Sequence, residues 1–203
     1  MTHSIGRRVS AGVCSVLLAG VVAGQQAEAG PPVAGVYSRT FNSPTTLNGL
    51  VVIGRVSFYS ATGGVKFAYL AKDQVAWGKT PLPKGTGIHF TRDGEPNWCF
   101  LAKHSEVKGH LLHGGGQDWM TCFYPSGELK SGGLVNIETI DGIPCDVGSF
   151  WNEAIGGGGR TYWYEDGRLK SAKVAKTITY RGQTIKKGRR VALNPDGTIK
   201  SIK

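Results

Sequence analysis

The sequence has few acidic residues, few methionines and no long apolar run beyond residue 30. It contains 14 Asp and Glu against 24 Lys and Arg, and only 2 Met. After residue 30 no segment repeats apolar residues at the helical spacing, which excludes a helical bundle or a coiled coil. The apolar run over residues 12–24 is too short to cross a bilayer as a mature helix. What remains is a globular composition rich in turn formers, with 31 Gly and 9 Pro.

Catalytic signatures are also missing. The sequence contains no G-x-S-x-G elbow and no H-E-x-x-H motif, and the glycine run at 156–159 is not followed by the Lys and Ser or Thr of a phosphate loop. The carboxylates that remain as candidate acids are Glu106, Asp118, Glu138, Asp141, Asp146 and Glu153. A small extracytoplasmic hydrolase of glycan or cell-wall material is therefore kept as an alternative, but no catalytic residue and no cofactor are predicted.

Residues 1–29 have the pattern of a cleaved secretory signal peptide. Arg7 and Arg8 precede the apolar run, and Ala27, Glu28 and Ala29 form a small-x-small cleavage site. An N-terminal anchor helix is the alternative, although it would need about 20 apolar residues. We therefore expect a periplasmic or secreted protein with one mature domain, residues 30–203.

Removal of the leader leaves 22 Lys and Arg against 13 Asp and Glu, a net charge of +9. Outside the cytoplasm such a charge favours an anionic membrane surface, an acidic glycan or a cell-wall polymer over nucleic acid, with solubility alone as the alternative. The cations are dense near the end of the chain, where the predicted binding residues are Lys170, Lys186, Lys187, Arg189 and Arg190.

Glycines recur at nearly constant spacing. Turn glycines follow a large apolar residue by four positions at Gly63, Gly94, Gly127, Gly167 and Gly197, which are 31, 33, 40 and 30 residues apart. Fifteen residues after the first four come Gly78, Gly109, Gly142 and Gly182. Glycine turns between short apolar runs are a strong signal for β-hairpins.

This periodicity predicts an all-β fold of stacked β-hairpin repeats of about 30–40 residues, in which each unit packs on its neighbours. The predicted units are 54–85, 86–116, 117–158, 159–188 and 189–203. The third unit carries an insertion over 150–160, a place where binding function is often added in repeat proteins. A closed barrel or a sandwich of the same strands is the alternative.

Two segments resemble the hairpins of MORN (membrane occupation and recognition nexus) repeats and their bacterial variants. They are residues 163–170, Trp-Tyr-Glu-Asp-Gly-Arg-Leu-Lys, and residues 123–130, Phe-Tyr-Pro-Ser-Gly-Glu-Leu-Lys. The spacing of 30 residues or more departs from that family, whose units are nearer twenty-three. The resemblance implies a β-hairpin array that attaches to a membrane or a protein, and it carries over no catalytic residues.

Histidines and cysteines offer two further hypotheses. His104, His110 and His113 fall in one unit and are candidate ligands for zinc or copper, although their spacing matches no strong metal motif. Cys99 and Cys122 flank two turn glycines at the same distance, so a disulfide between adjacent units is predicted.

Aromatic side chains, among them Trp151 and Trp163, are candidates for stacking on sugar rings. Together these patterns predict a β-repeat binding protein that attaches to an anionic component of the envelope. A structural module that contacts an envelope protein and binds no small ligand is a second interpretation. The sequence does not predict an oligomeric state.

Overall fold

The computed structural model describes residues 35–116, 119–148 and 159–203, and these form nineteen strands and no helix. Eleven strands build one antiparallel sheet in chain order: β1 (Val36–Leu47), β2 (Leu50–Tyr59), β3 (Val65–Leu70), β6 (Gly87–Phe90), β7 (Pro96–Phe100), β10 (Met120–Phe123), β11 (Leu129–Gly132), β14 (Thr161–Trp163), β15 (Leu169–Lys173), β18 (Arg190–Leu193) and β19 (Ile199–Ile202). The other eight form four small hairpins: β4 (Gln74–Ala76) with β5 (Thr80–Leu82), β8 (Ser105–Val107) with β9 (His110–Leu112), β12 (Glu138–Ile140) with β13 (Ile143–Cys145), and β16 (Ile178–Tyr180) with β17 (Gln183–Ile185). The chain thus alternates a sheet hairpin with a small hairpin.

The small hairpins share one kind of turn, in which two residues of positive φ follow the first strand. Those residues are Trp77 and Gly78, Lys108 and Gly109, Asp141 and Gly142, and Arg181 and Gly182. Both have positive φ, for example 53° at Lys108 and 81° at Gly109. They connect the strands directly in three hairpins, and Lys79 is a third connecting residue between β4 and β5. A two-residue turn with positive φ at both positions matches the right-handed twist of the strands and favours Gly at the second position. The glycines that lie fifteen residues after Gly63, Gly94, Gly127 and Gly167 therefore mark the turns of the small hairpins.

The sheet hairpins use a longer turn that ends in a bulge. The backbone N–H of Gly127 donates to the carbonyl of Tyr124 at 2.9 Å, and that of Gly197 donates to Asn194 at 2.9 Å. Each glycine has positive φ, and strand pairing shifts register beside it. The Asp196 carboxylate accepts a hydrogen bond from the backbone N–H of Thr198 at 2.9 Å, as turn aspartates commonly do.

One face of the sheet packs together with the small hairpins into a single core. Val56, Ile88 and Val191 of the sheet are 0% exposed, as are Ile143 and Ile185 of the hairpins. Because each small hairpin supplies the second layer above its own part of the sheet, the apolar face is buried without closure of the sheet.

The structure confirms an all-β fold of stacked hairpins. The large sheet is open, with β1 at one edge and β19 at the other, so the alternative of a closed barrel was wrong.

Candidate functional site

The face of the sheet opposite the core, called the outer face below, carries a row of side chains that crosses ten strands. Direct cross-strand pairs connect its members: Ser57, Phe67, His89, Trp98, Cys122, Ser131, Tyr162, Ser171, Ala192 and Ser201. Successive side chains of a strand point to opposite faces, and the neighbours of this row, such as Ala68, Cys99 and Ala172, are at most 1% exposed. The row therefore lies on the side away from the core.

The end of this face nearest β1 forms a cleft of about 550 Å³, called the aromatic cleft below. Its lining comes from β1, β2, β3, β6 and β7: Val36, Arg55, Ser57, Lys66, Phe67, Tyr69, His89, Trp98 and Phe100. The rings contact one another, with centroids of Trp98 and Phe100 5.0 Å apart and those of Phe67 and Tyr69 5.0 Å apart. The volume lies in the range of small-ligand sites, which is roughly 300–1,000 Å³.

Gly87 shapes the cleft, because it is the strand residue that lies under two of its rings. A Cβ built on Gly87 would lie 2.5 Å from Cζ of Phe67 and 3.1 Å from Cε1 of Tyr69. No larger residue fits there unless the rings move. The absence of a side chain thus allows Phe67 and Tyr69 to lie against the backbone of β6.

His89 stacks flat on Trp98, with centroids 4.6 Å apart and ring planes 8° from parallel. Burial, and secondarily the positive charge of Lys66, lower the pKa of His89 below its ordinary value. The imidazole is therefore neutral at pH 7. The charges that line the cleft are then those of Arg55 and Lys66, because no Asp or Glu that the structure describes belongs to the lining.

The other end of the sheet is strongly basic. Residues 159–203 contain 12 Lys and Arg against 3 Asp and Glu, whereas residues 30–158 contain 10 of each. The net charge of residues 30–203 thus resides in residues 159–203. Two of the three acids have local partners: Asp166 Oδ2 is 2.6 Å from Nη2 of Arg168, and Asp196 accepts from Thr198.

Four of the predicted binding cations are exposed in this basic segment. Lys186, Lys187 and Arg189 lie between β17 and β18, and Lys170 lies on β15 with its ammonium 5.4 Å from the ring centroid of Tyr164. None of the four forms an ion pair with any residue that the structure describes. Their charges are therefore directed to solvent.

The fifth predicted cation, Arg190, has a structural role. Its Nη1 donates to the hydroxyl of Ser171 at 3.2 Å, its Nη2 donates to the carbonyl of Arg160 at 2.9 Å, and its guanidinium lies 5.6 Å from the ring centroid of Tyr162. These contacts hold β14, β15 and β18 together on the outer face.

Of the two tryptophans predicted to bind sugar rings, the structure describes Trp163 but not Trp151. Trp163 is 1% exposed and belongs to the core, so it offers no surface for a sugar ring and its predicted binding role was wrong. Trp151 and the rest of the 149–158 segment lie outside the described residues, as do residues 1–34 with the predicted signal peptide.

The three histidines do not converge on one point. The rings of His104 and His113 are in edge contact with centroids 5.0 Å apart, and His113 stacks on Trp119. His110 instead lies 2.7 Å from a carboxylate oxygen of Glu138, through its Nδ1. Within residues 35–116, 119–148 and 159–203 no group of three potential metal ligands comes together.

Cys99 and Cys122 are free thiols, so the predicted disulfide was wrong. Cys99 pairs with Thr121 across the strands, and Cys122 pairs with Trp98. The two side chains therefore point to opposite faces of the sheet, Cys99 into the core and Cys122 to the outer face. The equal spacing of Cys99 and Cys122 from turn glycines indicated that they lie on adjacent strands, but it did not indicate to which face of the sheet each side chain points.

Three of the candidate acids that the structure describes accept backbone hydrogen bonds, Asp146 from the adjacent Val147 at 3.0 Å and the other two from more distant residues. Glu138 accepts from the backbone N–H of Leu111 at 3.2 Å in addition to its contact with His110, and Asp141 accepts from the N–H of Leu169 at 2.7 Å. Both carboxylates thus tie a small hairpin to its neighbours. Asp118 and Glu153 lie outside the described residues.

Sequence reasoning missed Arg55, Phe67 and His89 as members of one site. Their signal was present as alternation, since Phe67 and Tyr69 interleave with the buried Ala68 and Leu70. Two aromatic residues at successive outward positions are unusual for a surface strand and point to a candidate site.

Comparison with protein families, with curated proteins and with solved structures finds no match to this chain. The resemblance to MORN repeats accordingly stays a prediction. In the part of the chain that the structure describes, no helix has the length and apolarity needed to cross a membrane.

Proposed function

We propose that this protein is an extracytoplasmic β-repeat binding protein that attaches to an anionic polymer of the cell envelope through the cations of residues 159–203. The observation that carries the proposal is the separation of charge along the chain. Residues 30–158 balance 10 cations against 10 acids, and residues 159–203 hold 12 against 3. A charge added for solubility alone has no reason to collect at one end of a repeat array.

The exposure of the cations supports the same proposal. Lys186, Lys187 and Arg189 follow one another closely in one connection, and each is exposed. The long stems of Lys and the planar fork of Arg allow such a group to reach several anionic groups of a polymer or a headgroup layer at once. Each cation that lies close to an anionic surface contributes roughly 1 kcal/mol to the free energy of binding to that surface.

Co-sedimentation tests the proposal. The protein is mixed with vesicles that contain anionic lipid, with neutral vesicles, and with purified anionic cell-wall polymer, at low and at high salt. We expect sedimentation with an anionic partner at low salt and release at high salt, because screening shortens the reach of exposed charges. If the protein stays in the supernatant under every condition, the proposal is wrong and a protein partner is the next candidate.

A further inference from the structure

The aromatic cleft lies at the opposite end of the chain from the basic segment, and its apolar lining is not part of the core. His89, Trp98 and Phe100 all project from the outer face, with the Trp98 ring between the other two. Phe67 joins them with its centroid 6.1 Å from that of Trp98. Large apolar rings gathered on the uncovered face of a sheet mark a binding site rather than a packing requirement.

The charges of the cleft are of one sign. Among the described residues, Arg55 and Lys66 are the only charged ones that line it, in a part of the chain whose 10 cations, these two included, balance its 10 acids. Arg55 is exposed, and Lys66 is half-buried with its ammonium 5.9 Å from the ring centroid of Tyr59. A guanidinium and an ammonium beside an apolar floor suit a ligand that carries a carboxylate on a largely apolar body.

We infer that the aromatic cleft binds one acidic pyranose of a glycan, with the C–H face of the sugar against the aromatic rings and its carboxylate at Arg55 and Lys66. The inference rests on the proposed function, because it makes an acidic glycan the anionic polymer. A pyranose combines an apolar face with a polar rim. The hydroxyl of Ser57 lines the cleft 3.2 Å from the hydroxyl of Ser38, and its remaining hydrogen-bonding capacity suits that rim.

Continuity of the outer face favours a polymer over a small aromatic acid. The cross-strand row leads from Trp98 in the cleft through Cys122 and Ser131 to Tyr162. Beyond Tyr162 the row continues through Ser171, Ala192 and Ser201. A glycan whose terminal residue occupies the cleft can extend past the buried Ser131 from the half-buried Cys122 to Tyr162, which is 37% exposed, whereas a single small acid uses the cleft alone.

The test uses the full chain and two synthetic probes, a tetramer of galacturonic acid and a tetramer of galactose that lacks the carboxylates. Binding is measured by calorimetry for the wild type and for the double variant Arg55→Gln/Lys66→Gln. Lys72→Gln/Lys84→Gln is the matched control, since it removes the same charge from two exposed residues outside the cleft. We expect the acidic tetramer to bind, the neutral one to bind at least about tenfold more weakly, and the cleft variant to lose at least about tenfold in affinity while the control does not.

A second variant tests the aromatic floor. Trp98→Ala removes the central ring and should abolish binding of the acidic tetramer, whereas Trp98→Phe should retain part of it. Thermal unfolding of both variants shows whether the fold is intact. Equal binding by wild type, cleft variant and Trp98→Ala would overturn the inference, and so would equal affinity for the acidic and neutral tetramers or no binding of either.

The inference about the cleft and the proposed function of the basic segment can be tested separately. Substitution of Lys186, Lys187 and Arg189 by Gln should release the protein from long polymer but leave its affinity for the acidic tetramer within about twofold, because the tetramer needs only the cleft. Sedimentation with polymer by a protein that does not bind the tetramer overturns the inference about the cleft and leaves the proposed function standing. Tetramer binding without sedimentation supports the cleft and contradicts attachment through the basic segment.

Discussion

The phenolic hydroxyl of Tyr124 donates a hydrogen bond to the backbone carbonyl of Trp163 across a distance of 2.9 Å. Tyr124 begins the turn of one sheet hairpin, and Trp163 ends a strand just before the next such turn. The bond recurs along the array, since Tyr59 donates to the carbonyl of Phe90 at 2.8 Å and Tyr164 donates to that of Leu193 at 2.7 Å. A tyrosine at the start of a turn thus ties each of three repeats to the following one.

Replacement of Tyr124 by Phe should lower the free energy of unfolding by about 1 kcal/mol, because it removes one hydrogen bond between repeats and changes little else. Tyr164→Phe should have a similar effect. Tyr162→Phe is the matched control, since the outer-face Tyr162 is 37% exposed and contacts Arg190 through its ring. Urea denaturation measures all three, and an effect of Tyr162→Phe as large as that of Tyr124→Phe would show that the hydrogen bond between repeats is not the cause.

Gly87→Ala should destabilise the protein by about 1–3 kcal/mol, because the added methyl group collides with the Phe67 ring. The φ of Gly87 is not positive, so the effect is one of space alone. Phe67→Leu in the same chain should restore part of the loss, and a double-mutant cycle measures the coupling. Gly64→Ala is the control, since its closest neighbour is a hydroxyl at 3.2 Å, and strictly additive effects of Gly87→Ala and Phe67→Leu would contradict the proposed contact.

Stability should fall as the pH is lowered from about 7.5 to 5.5. Burial lowers the pKa of His89 and of His113, with Lys66 and His104 as the respective secondary causes. The unfolded chain therefore binds more protons than the folded one as the pH falls through the ordinary histidine pKa of about 6.5. Urea midpoints at several pH values measure the slope. His89→Asn with His113→Asn should flatten it, and an unchanged slope in that variant would place the titrating groups elsewhere.

Of the three cysteines that the structure describes, Cys122 should react first with a thiol reagent. Cys122 lies half-buried on the outer face, whereas Cys99 and Cys145 are buried. Burial raises the pKa of the Cys145 thiol to about 12 and raises that of Cys99 as well. Because the thiolate is the reactive form, both should stay unlabelled in the folded protein. Mass spectrometry after brief labelling identifies the site, and Cys122→Ser should remove the fast phase.

The sequence was sufficient for the repeat because the constraint on its turns is local. A turn that needs positive φ selects Gly wherever it stands, so Gly109 and Gly127 can be recognised without knowledge of the fold. The strand faces were harder to assign. The sheet turns contain bulges that shift the register beside Phe123, and one shifted residue changes which side chains face the core.

The candidate site could be predicted only in part, because the sequence does not reveal which side chains of each strand share a face. Charge density along the chain identified the exposed Lys186, Lys187 and Arg189. The aromatic cleft depends instead on cross-strand partners far apart in sequence, such as Phe67 with His89. Trp163 and Trp98 are both tryptophans on strands of the large sheet. Only the strand register determines that Trp163 lies in the core and Trp98 on the outer face.

The salt dependence of binding shows whether the cations of the basic segment attach the protein to an anionic polymer. The affinity for the polymer is measured over a series of salt concentrations for the wild type, for Lys186→Gln/Lys187→Gln/Arg189→Gln, and for Lys72→Gln/Lys84→Gln/Lys103→Gln. All six residues are exposed, so both variants remove three charges from the surface.

We predict that the affinity of the wild type decreases steeply as salt increases. The variant in the basic segment should bind roughly hundredfold more weakly at low salt, because three cations at about 1 kcal/mol each contribute about 3 kcal/mol. Its affinity should also depend less steeply on salt. The control variant should bind as the wild type does. Equal losses in the two variants, or an affinity that does not change with salt, would show that the basic segment does not attach the protein to the polymer.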